Sequence, residues 1–157
     1  GSFGARAACP GSGRAARVNI QPGPKPTGAH PWGEAATPYE ELGGEDVLRR
    51  LVDAFYDRMD ASSPLLRQMH PSNDSKSRRN LFEFLSGWMG GPNLYAERKG
   101  HPRLRMRHLP FAIGDTEADE WMRCMSEAFD AIKVTGTLRD YLDSQLDQTA
   151  RHVRNTG

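Results

Sequence analysis

The segment from Gly100 to Phe111 reads GHPRLRMRHLPF, and it packs two histidines and three arginines into the eight residues from His101 to His108. A neutral imidazole is a common ligand for iron and other transition metals. Neighbouring guanidiniums can pair with carboxylates in forked geometry. Pro102 and Pro110 restrict any helix here to about Arg103–Leu109, too short to be a packing helix. From residue types alone the segment reads either as a metal-ligating loop or as a solvated basic loop, and both readings stand.

A second group of residues bears on the same chemistry. Phe55, Tyr56, Phe84, Trp88, Met89, Trp121, Met125 and Phe129 all fall on apolar helix faces. Large aromatic and thioether side chains fill ordinary cores. A flat apolar cofactor would need the same lining, so composition does not separate the two. His70 precedes Pro71, where it is either a titratable side chain near the site or a solvent-facing capping residue.

The elements that must position these residues are helical. Val47, Leu48, Leu51, Val52, Phe55, Tyr56 and Met59 recur every three or four residues and predict a helix over Glu45–Met59. Gly43-Gly44 separates it from a turn at Tyr39–Leu42. Pro64–Met69 predicts one brief helical turn. Ser72-Asn73-Asp74-Ser75 is a cap cluster before a helix carrying Leu81, Phe82, Phe84, Leu85, Trp88 and Met89, stopped by Gly90-Gly91-Pro92. Thr116 with Asp119 has the pattern of a capping box before the run Trp121–Ile132. A last helix starts near Thr137 and carries Leu138, Tyr141, Leu142, Leu146 and Val153. No alternating strand pattern is present, so the expected class is all-α.

Composition narrows the function classes. The chain has 157 residues, is 37% hydrophobic, and carries a formal charge of +1. No apolar stretch reaches the roughly 18 residues of a membrane span, and no N-terminal apolar run of the secretory kind occurs. The basic residues do not gather into a nucleic-acid stripe. Neither a nucleic acid nor a membrane is therefore expected as a partner. There is no phosphate-binding glycine loop and no zinc spacing of cysteines. Cys9 and Cys124 stand far apart, which argues against a disulfide framework and for a reducing, cytoplasmic setting. Cys124 reads as a small buried hydrophobe.

Residues 1–37 hold five prolines and seven glycines but few large apolar side chains, and every acidic residue lies at Glu34 or later. They read as a flexible extension, with Trp32 as the one residue able to dock on the domain formed by residues 38–157.

The sequence resembles the truncated haemoglobins of group II. The resemblance rests on Tyr39–Gly44 (YEELGG), Phe55-Tyr56, Gly90-Gly91-Pro92, the segment HPRLRMRHLPF, and Trp121 thirteen residues past His108. It covers about Pro38 to the C-terminus. It implies a truncated globin fold, a two-over-two helical sandwich around one haem b (iron protoporphyrin IX), with the helix that carries the iron ligand much reduced. His108 matches the proximal histidine, with His101 the alternative ligand. Tyr56 and Trp121 match the distal tyrosine and tryptophan, and His70 falls where the family carries a tyrosine, phenylalanine or histidine. Ser77 and Leu81 match two further distal positions, which leaves no conventional distal histidine. Phe55, Phe84, Phe111 and Met125 match apolar wall positions, and Arg107 stands ready for a propionate.

By that resemblance Tyr56, His70 and Trp121 would form the reactive set, each offering a hydrogen-bond donor. Three donors imply tight binding of oxygen and slow release, which suits peroxide reduction or reaction with nitric oxide better than transport. Carbon monoxide would also bind, and an unidentified reductase would supply electrons to a monomer or homodimer. Sensing or storage of oxygen is the alternative function. A cofactor-free helical module that binds a partner through its basic and apolar surfaces is the alternative of another class.

Overall fold

The computed structural model describes residues 29–156. The expected extension up to residue 28, with Cys9, lies outside the described residues. Eight helices follow in order among them: α1 (Pro38–Leu42), α2 (Glu45–Ser62), α3 (Pro64–Arg67), α4 (Ser75–Trp88), α5 (Leu94–Lys99), α6 (Leu104–His108), α7 (Asp115–Ala131) and α8 (Gly136–His152). No strand is present among the described residues, only an isolated bridge between His30 and Gly33. No helix among them is long and apolar enough to cross a membrane.

Four long helices make the core. α2 packs against α4 and α7, and α7 packs against α8. The apolar stripe of α2 is buried along its whole length, from Leu48 through Phe55 to Met59. It meets Phe82 and Leu85 of α4, Cys124 to Phe129 of α7, and Leu142 and Leu146 of α8 in one cluster. Burying such side chains stabilises each by about 1.5–3 kcal/mol.

The short elements fix the corners. Thr37 caps α1 by accepting from the Glu40 N–H at 3.1 Å. Gly43 and Gly44 then take φ of +122° and +84°, which lets the chain reverse into α2. The Gly90-Gly91-Pro92 stop lies against α1: Tyr39 N–H donates to the Met89 carbonyl at 3.0 Å, and a Cβ on Gly91 would come within 2.5 Å of the Tyr39 ring.

Several elements differ from the sequence expectation, among them α3, which ends at Arg67 and not at Met69. α2 runs to Ser62 because Ser63, not Met59, marks the break before Pro64. α5 forms over Leu94–Lys99, where no helix was predicted. α7 starts at Asp115, capped through Gly114 N–H donating to Glu117 Oε1 at 2.7 Å, so Thr116 and Asp119 do not form its box. Trp32, the one residue of the extension expected to dock, does so: it meets Tyr141 edge-on at 5.3 Å and donates to the Ala35 carbonyl at 2.9 Å.

Candidate functional site

One cavity of about 390 Å³ opens between α4, α6, α7 and α8, within the size range of cofactor sites. The structure brings nine of the eleven expected site residues to its walls: Tyr56, His70, Ser77, Leu81, Phe84, Arg107, His108, Phe111 and Trp121. The walls between them are mostly apolar, with Leu66, Leu104, Ile113 and Val153 among them. Met125, expected on the wall, is fully buried in the core and does not line the cavity. It lies four residues past Trp121 on the same stripe of α7, and that extra turn, about 6 Å along the axis, carries it under the site.

His108 ends α6, the single turn left between Pro102 and Pro110. Its Nδ1 lies 2.6 Å from the Leu104 carbonyl oxygen. A carbonyl only accepts, so Nδ1 carries the proton and Nε2 keeps its lone pair. That is the tautomer a metal ligand needs, with the ring orientation fixed from behind. His101 is differently engaged: its Nδ1 accepts from the Arg103 N–H at 3.0 Å, it is exposed, and it does not line the cavity.

Tyr56 reaches the cavity from α2 and is 5% exposed. Burial pushes its hydroxyl well above the usual tyrosine range, and nearby Asp74 adds to this while Arg78 opposes it. The hydroxyl is therefore a donor at any ordinary pH. Arg78 ties α4 to α2 through Asp53 and Asp57 and pairs with Asp74 at 2.9 Å. Its guanidinium stands 5.4 Å from the Tyr56 ring centre.

Trp121 comes from α7 and is half-buried. Phe55, expected on the cavity wall, instead sits behind it, fully buried, with its ring 5.2 Å from Tyr56 and 5.1 Å from Trp121. Its ring packs against both side chains. Neither the Tyr56 hydroxyl nor the Trp121 indole N–H has a protein partner among the described residues. A buried donor without a partner is costly unless a ligand satisfies it.

His70 was expected to be a third donor. Its Nδ1 lies 2.8 Å from the Leu66 carbonyl oxygen, so in the neutral ring the one N–H is already committed. The ring meets Tyr56 edge-on at 5.7 Å. Arg67 holds the chain beneath it by donating to the carbonyls of His70, Pro71 and Ser72.

Sequence reasoning missed several wall residues. Tyr95 on α5 is buried and lines the cavity, with the Arg107 guanidinium 5.7 Å from its ring centre. Its signal was lost because α5 spans only six residues. Thr149 and Ala150 of α8, and Val153 just past its end, line the same space. Arg107 is exposed and forms no ion pair among the described residues, so it can meet an anionic edge of a ligand. No cluster of three or more acidic, histidine or cysteine side chains that could hold a bare metal ion occurs among the described residues. The donor set, with one lone-pair imidazole, apolar walls and orphan N–H and O–H groups, fits a haem.

Comparisons with known proteins agree with that geometry. A family model described as bacterial-like globin matches residues 37–155. The group 2 truncated haemoglobin of Bacillus subtilis (strain 168) is 47% identical over 118 residues, which are 75% of this chain and 88% of that protein. Among solved structures, the truncated oxygen-avid haemoglobin from Bacillus subtilis aligns with a TM-score of 0.72 at 46% identity, covering 76% of this chain and 99% of the other. The group II truncated haemoglobin from Bacillus anthracis aligns with a TM-score of 0.75 at 40% identity, covering 78% and 98%.

Proposed function

The chain belongs to the bacterial-like globin family, within the truncated haemoglobins of group II, and from that premise we propose that it binds one haem b through His108, takes up oxygen tightly, and serves redox removal of peroxide or nitric oxide. When bound, haem supplies an iron atom with an open coordination position and the capacity to exchange electrons.

The chain's own residues do the rest. His108 offers the Nε2 lone pair while the Leu104 carbonyl keeps the ring from turning. Arg107 balances negative charge at the exposed side of the site. Tyr56 and Trp121 direct donors at a diatomic ligand such as oxygen, carbon monoxide or nitric oxide. Charge that develops on the ligand oxygen is stabilised by such fixed dipoles in a cavity with mostly apolar walls. Each bond is worth about 1–3 kcal/mol, which corresponds to roughly 5- to 150-fold in release rate. Slow release suits chemistry on the held ligand better than delivery of it.

The observation that carries this reading is the pairing, in one cavity, of a histidine in the ligating tautomer with two unpartnered donors. The oxygen-avid character printed for the Bacillus subtilis structure supports the tight-binding part. Stopped-flow measurement of oxygen release from the haem-loaded, reduced protein tests it. Release should be slow, and should accelerate at least about fivefold in Tyr56→Phe and in Trp121→Phe. Fast release in the wild type, unchanged by both variants, would remove the tight-binding reading.

A further inference from the structure

We propose that His70 is the hydrogen-bond acceptor of the cavity and that, together with the donors Tyr56 and Trp121, it selects ligands carrying a proton, hydrogen peroxide foremost. The inference rests on the haem reading above and makes its ligand class specific.

The polarity of the ring follows from its anchor. Nδ1 stands 2.8 Å from the Leu66 carbonyl oxygen, which cannot donate. A neutral imidazole has one N–H, so Nε2 carries a lone pair. Nε2 has no protein partner among the described residues, and the ring lines the cavity. The anchor is firm on both sides. Leu66 is 4% exposed on α3, and the α3 N-cap Ser63 donates to Glu120 of α7 at 2.7 Å. On the far side of His70, Arg67 fixes three successive carbonyls and pairs with Asp60 at 3.0 Å. While neutral, the ring therefore cannot present its N–H to the cavity without giving up the Leu66 bond.

Oxygen, carbon monoxide and nitric oxide have no proton, so they meet a lone pair at Nε2 and gain nothing there. Hydrogen peroxide has two O–H groups and four lone pairs. It can donate to Nε2 while it accepts from Tyr56 and Trp121, so both kinds of partner in the cavity are used. The same contact moves a proton. The peroxide O–H bond breaks, its electron pair stays on oxygen, and the proton bonds to Nε2. The products are an imidazolium and a hydroperoxide anion. Nδ1–H remains on the Leu66 carbonyl throughout, which stabilises the cationic ring. The two donors face the new anion.

Carbon monoxide is the probe that reads the sign of the polarity. A donor near its oxygen lowers the C–O stretch, and a lone pair raises it. In the haem-loaded protein, His70→Phe should therefore move the infrared stretch to lower frequency. It should also slow the reaction with hydrogen peroxide by at least about 30-fold, while the rate of carbon monoxide binding stays within about threefold. In the wild type, long-range proton–nitrogen NMR should find the His70 ring protonated at Nδ1. A stretch that moves to higher frequency, equal losses with peroxide and carbon monoxide, or a ring protonated at Nε2 would each overturn the proposal while leaving the haem reading intact. A loaded protein without a Soret band would overturn both.

Discussion

His108 Nδ1 lies 2.6 Å from the carbonyl oxygen of Leu104, one helical turn earlier. His70 Nδ1 stands in the same relation to Leu66, at 2.8 Å. Each imidazole is thus held by the carbonyl four residues before it, and each is left with an Nε2 lone pair. The bond explains why so short an element as α6 is sufficient. The five residues Leu104–His108 need to supply only one ring and the carbonyl that orients it. The packing that other helices provide through their length comes here from the cavity walls.

Phe55 touches both donors, so its loss should be felt twice. Phe55→Ala removes a fully buried ring and should destabilise the fold by about 3–5 kcal/mol. In the fraction that stays folded and loaded, oxygen release should speed up because Tyr56 and Trp121 lose their common support. Urea unfolding and stopped-flow release read the two effects. A destabilised variant with wild-type release would show that Phe55 does not set the donor spacing.

Glu120 gives the fold an acid-sensitive link. Its hydrogen bonds from Arg123 and Ser63 hold its carboxyl at about 2, below the ordinary 4.5. A depressed folded-state value means the stabilisation is complete above the unfolded value of about 4.5 and disappears as pH falls toward about 2. Glu120→Gln should therefore be less stable than the wild type near neutrality, and the gap should close across that window. Thermal unfolding from pH 7 to pH 2 measures it. A gap that does not vary with pH would place the stabilisation elsewhere.

Cys124 should be inert in the native protein. It is 0% exposed, and burial raises its thiol above the usual cysteine range, which suppresses the reactive thiolate. In a Cys9→Ser background, a chromogenic disulfide reagent should give no reaction until denaturant is added. Rapid labelling under native conditions would contradict the packing of α7.

Trp32 should count as part of the folded domain. Trp32→Ala removes the contact with Tyr141 and the bond to the Ala35 carbonyl. The loss should be about 1 kcal/mol, read as a lower urea midpoint with an unchanged slope. A midpoint equal to the wild type would show that this residue adds nothing to stability.

Much of the fold was legible because it depends on period. The stripes of α2, α4, α7 and α8 follow three- and four-residue spacing, and Gly90-Gly91-Pro92 marks a stop that the close approach of Tyr39 requires. Depth along a stripe is not written in the period. Met125 and Phe55 share their stripes with Trp121 and Tyr56, yet both are core residues behind the cavity. Short elements also escape. Six residues of α5 carry too few apolar positions to show a face, so Tyr95 was missed. The HPRLRMRH segment made His108 readable through resemblance. The polarity of His70 was not readable, because it depends on a rotamer and on where the Leu66 carbonyl points.

The central claim is that His108 holds a haem. The most direct test is titration of the purified chain with haemin, followed by optical spectra of the wild type and of His108→Ala in the ferric, ferrous and carbon monoxide forms. In the wild type a Soret band should appear and saturate at one haem per chain. In His108→Ala that band should be lost or shifted to the spectrum of weakly held haem, with imidazole in the buffer restoring it in part. A wild-type chain that gives no Soret band, or a band that His108→Ala leaves untouched, would contradict it.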